Sequence, residues 1–69
     1  MREYHVEIGA QDDAGAFLRQ FDEPVLARTN DEAVLVASEI IKRRIASPAK
    51  LMALLFDDKT RLVWAWHPK

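Results

Sequence analysis

The stretch KLMALLFDDKTRLVWAW, residues 50–66, decides the fold of this chain. Two apolar runs flank four polar residues at 57–60, which is the pattern of a β-hairpin closed by a short loop. If those four residues form the loop, Phe56 lies opposite Arg61 and the register of the hairpin follows. Both faces of such a hairpin are apolar, so a second layer of structure must cover at least one of them.

The two predicted faces of the hairpin differ in character. The wholly apolar face carries Leu51, Ala53, Leu55, Leu62, Trp64 and Trp66. A small alanine there stands opposite a large tryptophan, which favours packing in a core, although exposed tryptophans that form a binding site are the alternative. The second face carries Met52, Leu54, Phe56, Val63 and Ala65, fringed by Lys50, Arg61 and His67. Unless the N-terminal strands or a loop cover it, this face is an apolar patch of the kind that marks an interface.

The segment TNDEAVLVASEIIKRRIAS, residues 29–47, predicts one helix. Thr29 and Glu32 have the spacing of a capping box, so the helix is expected to begin there. Apolar residues recur at helical spacing and form the predicted buried stripe of Val34, Ala37, Ile41 and Ile45. Cations near the end suit the helix dipole, and Pro48 prevents continuation.

The N-terminal part of the chain predicts strands. REYHVEIG, residues 2–9, alternates apolar and polar side chains as a half-buried strand does. The turn AQDDAG at 10–15 contains Gly15, which we expect to take a positive φ. AFLRQF at 16–21 predicts a second strand. Pro24 interrupts it and leaves open a short third strand, VLAR, beyond a bulge.

These elements follow the order ββ(β)αββ and predict an α+β fold. We expect a small antiparallel sheet of four to five strands with one helix packed on one face. The sequence contains no internal repeat or low-complexity linker, so a single domain over residues 1–69 is predicted.

Composition limits the classes of function. The 69 residues are 49% hydrophobic and 30% charged, which is typical of a globular domain. Without cysteine the chain has neither a disulfide framework nor a thiolate metal site. The formal net charge of −1 gives no global attraction to nucleic acid or anionic lipid. The residues MREYHVEIG at 1–9 lack the apolar region of a signal peptide, and the apolar runs are too short to span a bilayer. We therefore expect a cytoplasmic protein without membrane contact.

Residues capable of catalysis or metal binding are present, but not in the patterns that such chemistry requires. His5 and His67 lie at opposite ends of the sequence without metal-ligand spacing. The paired carboxylates at 12–13, 22–23 and 57–58 fall in predicted turns, where they serve local hydrogen bonding. No serine looks like an activated nucleophile, and no glycine-rich phosphate loop occurs. We therefore expect a non-enzymatic protein with no catalytic or metal site and no cofactor.

A basic cluster supports a second hypothesis, binding of nucleic acid. The residues that could contact phosphate are Lys42, Arg43, Arg44, Lys50 and Arg61. Their other interpretation is a solvated helix end in which Glu39 pairs with Arg43. Aromatic side chains exposed among the cations would strengthen the hypothesis, but the strand aromatics are better placed for a core. Nucleic-acid binding is the alternative to the function favoured below.

Four features of the first two-thirds of the chain occur in a characteristic order. They are Tyr4 in the first strand, DAGAF at 13–17, Pro24, and TNDEA at 29–33 opening the helix. In this order they resemble the HicB-type antitoxin fold, in which strands surround an acidic glycine-aromatic turn before a Thr-x-x-Glu-Ala helix start. The chain differs where Val25 follows the proline in place of glycine, and where an apolar hairpin follows the helix. In size and layout the chain is also similar to small phage anti-CRISPR proteins.

Both resemblances imply a small protein that acts by occupying the surface of a partner. Together with the second apolar face, they lead us to expect a protein-binding module, an inhibitor or antitoxin of bacterial or phage mobile-element type. Its expected partner is another protein. A homodimer is also expected, because the hairpin leaves an apolar sheet edge with unpaired backbone groups. The predicted interface residues are Met52, Leu54, Phe56, Val63, Ala65 and His67.

Overall fold

A computed structural model of the chain describes residues 1–44 and 51–67. The elements in this part are β1 (Arg2–Gln11), β2 (Phe17–Ala27), α1 (Asn30–Arg44), β3 (Leu51–Phe56) and β4 (Leu62–Trp66). The strands form one antiparallel sheet in the order β2-β1-β3-β4. The helix packs on one face of that sheet. The predicted α+β architecture is thereby confirmed for the described residues, with four strands.

β2 is one continuous strand and not the two that the sequence left open. Pro24 lies within it, opposite His5, and the strand continues to Ala27. β2 forms an edge of the sheet, and an edge strand accommodates proline because the nitrogen can point away from the neighbouring strand. The interruption predicted at Pro24 is therefore wrong, and the proposed third strand is the last part of β2.

A β-bulge changes the side-chain directions along β2. Ile8 pairs with Phe21 and Gly9 pairs with Arg19, so Gln20 is the extra residue. Phe21 consequently shares the helix side of the sheet, whereas Arg19 lies on the opposite side. Strict alternation along the strand would have placed these two side chains together.

The hydrophobic core lies between α1 and one face of the sheet. Every second residue of β1 points toward this face. The buried strand residues are Tyr4, Val6, Ile8, Val25, Ala27, Ala53 and Leu55. The buried helix residues are Ala33, Ala37, Ile40 and Ile41. The predicted stripe is confirmed at Ala37 and Ile41, and Val34 is partly buried against the core. Ile45, its fourth member, lies outside the described residues.

The start of α1 agrees with the sequence pattern. The Thr29 hydroxyl accepts a hydrogen bond from the Glu32 backbone N–H at 3.1 Å, so threonine is the N-cap. The buried Tyr4 hydroxyl donates to Asn30 Oδ1 at 2.7 Å and ties the first turn of the helix to β1. The helix is described as far as Arg44, and the predicted end at Pro48 lies outside the described residues. No helix in residues 1–44 or 51–67 has the length and apolar character needed to cross a membrane.

The two hairpin turns have the same hydrogen-bonding pattern. Asp12 Oδ1 accepts from the backbone N–H groups of the residues two and four positions later, at 2.9 and 2.8 Å. Asp57 Oδ1 does the same, also at 2.9 and 2.8 Å. The fourth turn residue has positive φ in both: Gly15 at 86°, as predicted, and Thr60 at 63°. Because the backbone N–H of Asp57 bonds to the carbonyl of Arg61, the second turn is one residue longer than expected.

The longer turn changes the register of the C-terminal hairpin. Phe56 pairs with Leu62, not with the predicted Arg61, and Leu55 pairs with Trp64. The residue between those partners, Val63, has no pairing partner of its own and forms a bulge. The predicted register is therefore wrong. The bulge exchanges the faces of two residues: Leu62 joins the side of Phe56, and Val63 packs against the core.

Candidate functional site

The side of the sheet that faces away from α1 is termed the open face. Residues of β1 and β3 that alternate with the buried ones point there, notably His5, Glu7 and Leu54. Across residues 1–44 and 51–67, α1 is the only helix or strand outside the sheet, and it lies on the opposite side. No described element therefore packs over the open face.

The strands β3 and β4 give the open face an apolar strip, defined as Met52, Leu54, Phe56, Leu62 and Ala65. Phe56 pairs with Leu62 and Leu54 with Ala65, which places each pair on the same side of the sheet. The three β3 residues are half-buried, whereas Ala65 is exposed and Leu62 is 58% exposed. The strip is thus a continuous apolar surface that a partner can reach.

Four of the six predicted interface residues lie together on the open face: Met52, Leu54, Phe56 and Ala65. Val63 does not, because the bulge turns it toward the core. His67 is exposed just beyond the end of β4. Leu62, assigned from the sequence to the tryptophan face, takes the place of Val63. The Asp-Asp pair that begins both turns is the sequence signal for the longer turn that brings Leu62 opposite Phe56, whereas no local pattern marks the bulge at Val63.

The two tryptophans lie on the helix side of the sheet. Trp64 pairs with Leu55 and Trp66 with Ala53, and both indole rings are half-buried against the core. The helix lies mainly over β2, and less over β1 and β3. β4 lies at the edge of the area that the helix covers, so its tryptophans pack against the core but are only partly buried.

A charged network on β1 and β2 borders the apolar strip. The ring of His5 stacks on Phe56, with centroids 5.2 Å apart and planes inclined by 22°. Nε2 of the same histidine lies 3.0 Å from Glu7 Oε2. Arg19 Nη1 lies 4.0 Å from that Glu7 oxygen and 3.4 Å from Asp22 Oδ2. The histidine therefore joins the apolar strip to the charged network.

An acidic concavity of about 530 Å³ lies at the end of the open face where β1 begins. It is lined by Glu3, Tyr4, His5, Asp22, Pro24, Asp57, Asp58 and Thr60. Its four carboxylates, Glu3, Asp22, Asp57 and Asp58, are termed the acidic rim. Within the described residues, no group of three or more histidine, aspartate or glutamate side chains has an arrangement that could hold a metal ion.

Two members of the acidic rim are paired with cations. Asp57 Oδ2 accepts from Arg61 Nε at 2.9 Å, and Asp22 is bonded to Arg19. The pKa of Asp57 is lowered, mainly by the hydrogen bond from the backbone N–H of Arg61. Desolvation of the carboxylate opposes this effect, whereas the N–H of Lys59 and the charge of the Arg61 side chain lower the pKa further. In the part of the chain that the structure describes, no lysine or arginine nitrogen lies within 4.0 Å of a carboxylate oxygen of Glu3 or Asp58.

The basic residues at the end of α1 have acidic neighbours in the same molecule. Lys42 Nζ lies 3.5 Å from Glu39, which was expected to pair with Arg43. The Arg44 guanidinium pairs with Glu23 and also lies over the ring of Phe21, 5.2 Å from its centroid. Arg43 lines a small concavity beside the same Glu23. Lys50 lies outside the described residues.

Arg61 is distant from the basic residues at the end of α1. His5 pairs with Phe56, and its neighbour Tyr4 bonds to the start of the helix, so the turn that precedes Arg61 lies near the beginning of α1. Lys42, Arg43 and Arg44 lie at the other end of this helix, which has 15 residues and is therefore about 22 Å long. The described members of the predicted phosphate-binding set do not form one continuous surface.

Comparison of the chain with protein-family models, curated proteins and solved structures finds no match. The relationship to HicB-type antitoxins or anti-CRISPR proteins therefore stays a prediction from the sequence. The open face and its acidic rim are the structural basis for the function proposed next.

Proposed function

We propose that this chain is a non-enzymatic protein-binding module that binds another protein through its open face. The observation that carries this proposal is the apolar strip, over which no described element packs. Its side chains are half-buried or exposed on one side of a small sheet. Contiguous exposed apolar surface of this kind is characteristic of interaction sites.

The kind of module is inferred from the sequence. The motifs at 13–17 and 29–33 support a HicB-like antitoxin, and the size and layout of the chain support an anti-CRISPR-like inhibitor. Either would act by covering a surface of its partner. A cytoplasmic location and an origin in bacteria or their phages are parts of the same proposal.

In the absence of that partner, we propose that two copies cover the strip as a homodimer. Face-to-face pairing would remove Leu54 and Phe56 of both copies from water. The burial of apolar area contributes roughly 25 cal/mol per Å², and obligate dimers depend largely on it. The contact is open to competition, because a different protein can occupy the same strip.

Nucleic-acid binding has less support than protein binding. The cations of Lys42, Arg44 and Arg61 each have a carboxylate within ion-pair distance. Phosphate contacts would have to compete with those pairs, and such contacts weaken steeply as salt rises. Gel shifts with single- and double-stranded DNA and RNA at low salt test this alternative. A shift at micromolar protein would favour it over the proposal.

The main test is capture of proteins from a bacterial lysate by three forms of the chain. Wild type and Leu35→Lys should retain the same proteins, identified by mass spectrometry, and Leu54→Lys should lose them. Leu35 is the matched control because it is a leucine 69% exposed on α1, outside the open face. Circular dichroism establishes that all three forms are folded. Retention of the same proteins by all three would contradict the proposal.

A further inference from the structure

We infer that the partner places a basic, apolar segment of polypeptide on the open face, with its apolar side chains on the strip and its cations at the acidic rim. This inference rests on the proposed function and specifies the chemistry of the partner.

The apolar and acidic parts of the site are continuous. His5 stacks on Phe56 of the strip, and it also lines the acidic concavity. The turn that carries Asp57 and Asp58 directly follows Phe56 at the end of β3. A segment of a few residues that covers the end of the strip therefore also reaches the rim.

The site carries more negative than positive charge. The carboxylates on the open face and its rim are Glu3, Glu7, Asp22, Asp57 and Asp58. The cations beside them are Arg19 and Arg61, which are already paired with members of that set, and Lys59, which follows Asp58 in the turn but does not line the concavity. Glu3 and Asp58 have no lysine or arginine partner within the described residues. The chain as a whole has a net charge of only −1, so the excess of negative charge is local to this site.

This imbalance selects among the molecules that could cover the apolar strip. A nucleic acid or an acidic segment would bring like charge to the rim, which costs free energy. A second copy of the chain contributes the same excess of carboxylates and gains only the apolar contact. A segment with lysine or arginine next to apolar residues gains both the apolar burial and the neutralisation of the rim.

Three labelled ten-residue peptides test the inference. In one of them leucine alternates with lysine, in the second with glutamate and in the third with serine. Fluorescence anisotropy measures their binding to the wild-type chain. The lysine peptide should bind at least about tenfold more tightly than the glutamate peptide at low salt, and the difference should shrink at high salt because these charges are exposed. Equal affinity for the two peptides, or no binding of the lysine peptide, would overturn the inference.

Two charge reversals locate the effect. Asp58→Lys should weaken binding of the lysine peptide about tenfold. Asp13→Lys should not, although it makes the same change at the equivalent position of the other turn, which is also exposed. Equal loss in both variants would show a general charge effect and would overturn the inference. So would a homodimer that excludes the lysine peptide, because the occupant would then be a second copy.

The failure of this inference can be separated from failure of the proposed function. If lysate proteins are lost with Leu54→Lys but retained fully by Asp58→Lys, the open face binds protein, and the inference that the partner presents a basic segment is wrong. If the three forms in the lysate experiment retain the same proteins, the proposed function itself is wrong.

Discussion

At the scale of single residues, Thr60 adopts a backbone conformation that β-branched residues rarely have. Its φ of 63° lies in the left-handed region, where the equivalent residue of the first turn is Gly15. Strain of this kind costs of order 1–3 kcal/mol for a non-glycine residue. Replacement by glycine removes the strain, but part of the gain is offset because glycine gives the unfolded chain more conformational entropy.

We therefore predict that Thr60→Gly raises the free energy of unfolding by about 1 kcal/mol. Urea denaturation followed by circular dichroism measures the change. The matched control is Gly15→Thr, which places the same residue in the same position of the other turn and should lower stability. Destabilisation by Thr60→Gly would contradict the prediction. It would show that the threonine side chain stabilises the fold by more than the strain of its positive φ destabilises it.

Asp57 links the second turn to pH. Hydrogen bonds from the backbone, first that of Arg61, hold the pKa of this carboxyl below its ordinary value of 3.8. A group with a lowered pKa in the folded state stabilises the fold above its unfolded pKa, and this contribution disappears as the pH falls through the folded pKa.

Asp57→Ala should accordingly be destabilising near neutral pH, and its difference from wild type should narrow as the pH falls below about 4. Unfolding in urea at a series of pH values measures this. Asp58→Ala is the control, since that side chain makes none of the hydrogen bonds of the turn. A difference between wild type and Asp57→Ala that stays constant down to acid pH would contradict the prediction.

Gly9 is required by the close approach of β2 at the first bulge. A Cβ at this position would lie 2.2 Å from the carbonyl oxygen of Leu18, a backbone atom that cannot rotate away. We predict that Gly9→Ala lowers the free energy of unfolding by roughly 1–3 kcal/mol, as overpacking does. Gln20→Ala, at the extra residue of the same bulge, should change it by less than about 0.5 kcal/mol. Thermal unfolding of both variants distinguishes a steric effect from a general effect on the bulge.

At the scale of the element, two adjacent leucines of β3 point to opposite sides of the sheet and lie in different environments. Leu55 is fully buried beneath α1, whereas Leu54 is half-buried on the open face. Leu55→Ala should cost about 2–5 kcal/mol, because it leaves a cavity in the core. Leu54→Ala should cost about 1 kcal/mol or less in the isolated monomer, because its neighbours and water can occupy the space. Urea denaturation gives both values, and the reverse order would show that the two faces are exchanged.

At the scale of the whole molecule, the apolar strip predicts self-association. Wild type should behave as a dimer in size-exclusion chromatography with light scattering. Leu54→Lys should be a folded monomer, because the charge falls in the interface and not in the helix-packed core. Circular dichroism of the same samples separates loss of the dimer from loss of the fold. A monomeric wild type at all concentrations would contradict the dimer, and unfolding by Leu54→Lys would contradict the assignment of faces.

The sequence by itself was sufficient to predict β1, the start of α1 and the two sides of β3. Period-two alternation identified β1, and the Thr29 capping pattern identified the start of α1, because these signals depend on nearest neighbours in the chain. Alternation also predicted that Leu54 and Leu55 point in opposite directions. Local backbone geometry enforces each of these features, so no tertiary contact was needed to predict them.

Only the tertiary structure decided the bulges, the continuity of β2 and the acidic rim. The bulges at Gln20 and Val63 depend on how one strand meets its neighbour, and each reverses the faces that alternation alone predicts. Pro24 fits within β2 only because that strand is at an edge of the sheet. The rim joins carboxylates from β1, β2 and the second turn, which are far apart in sequence. Such contacts are set by the order and register of strands, which the periodicity of a single segment does not encode.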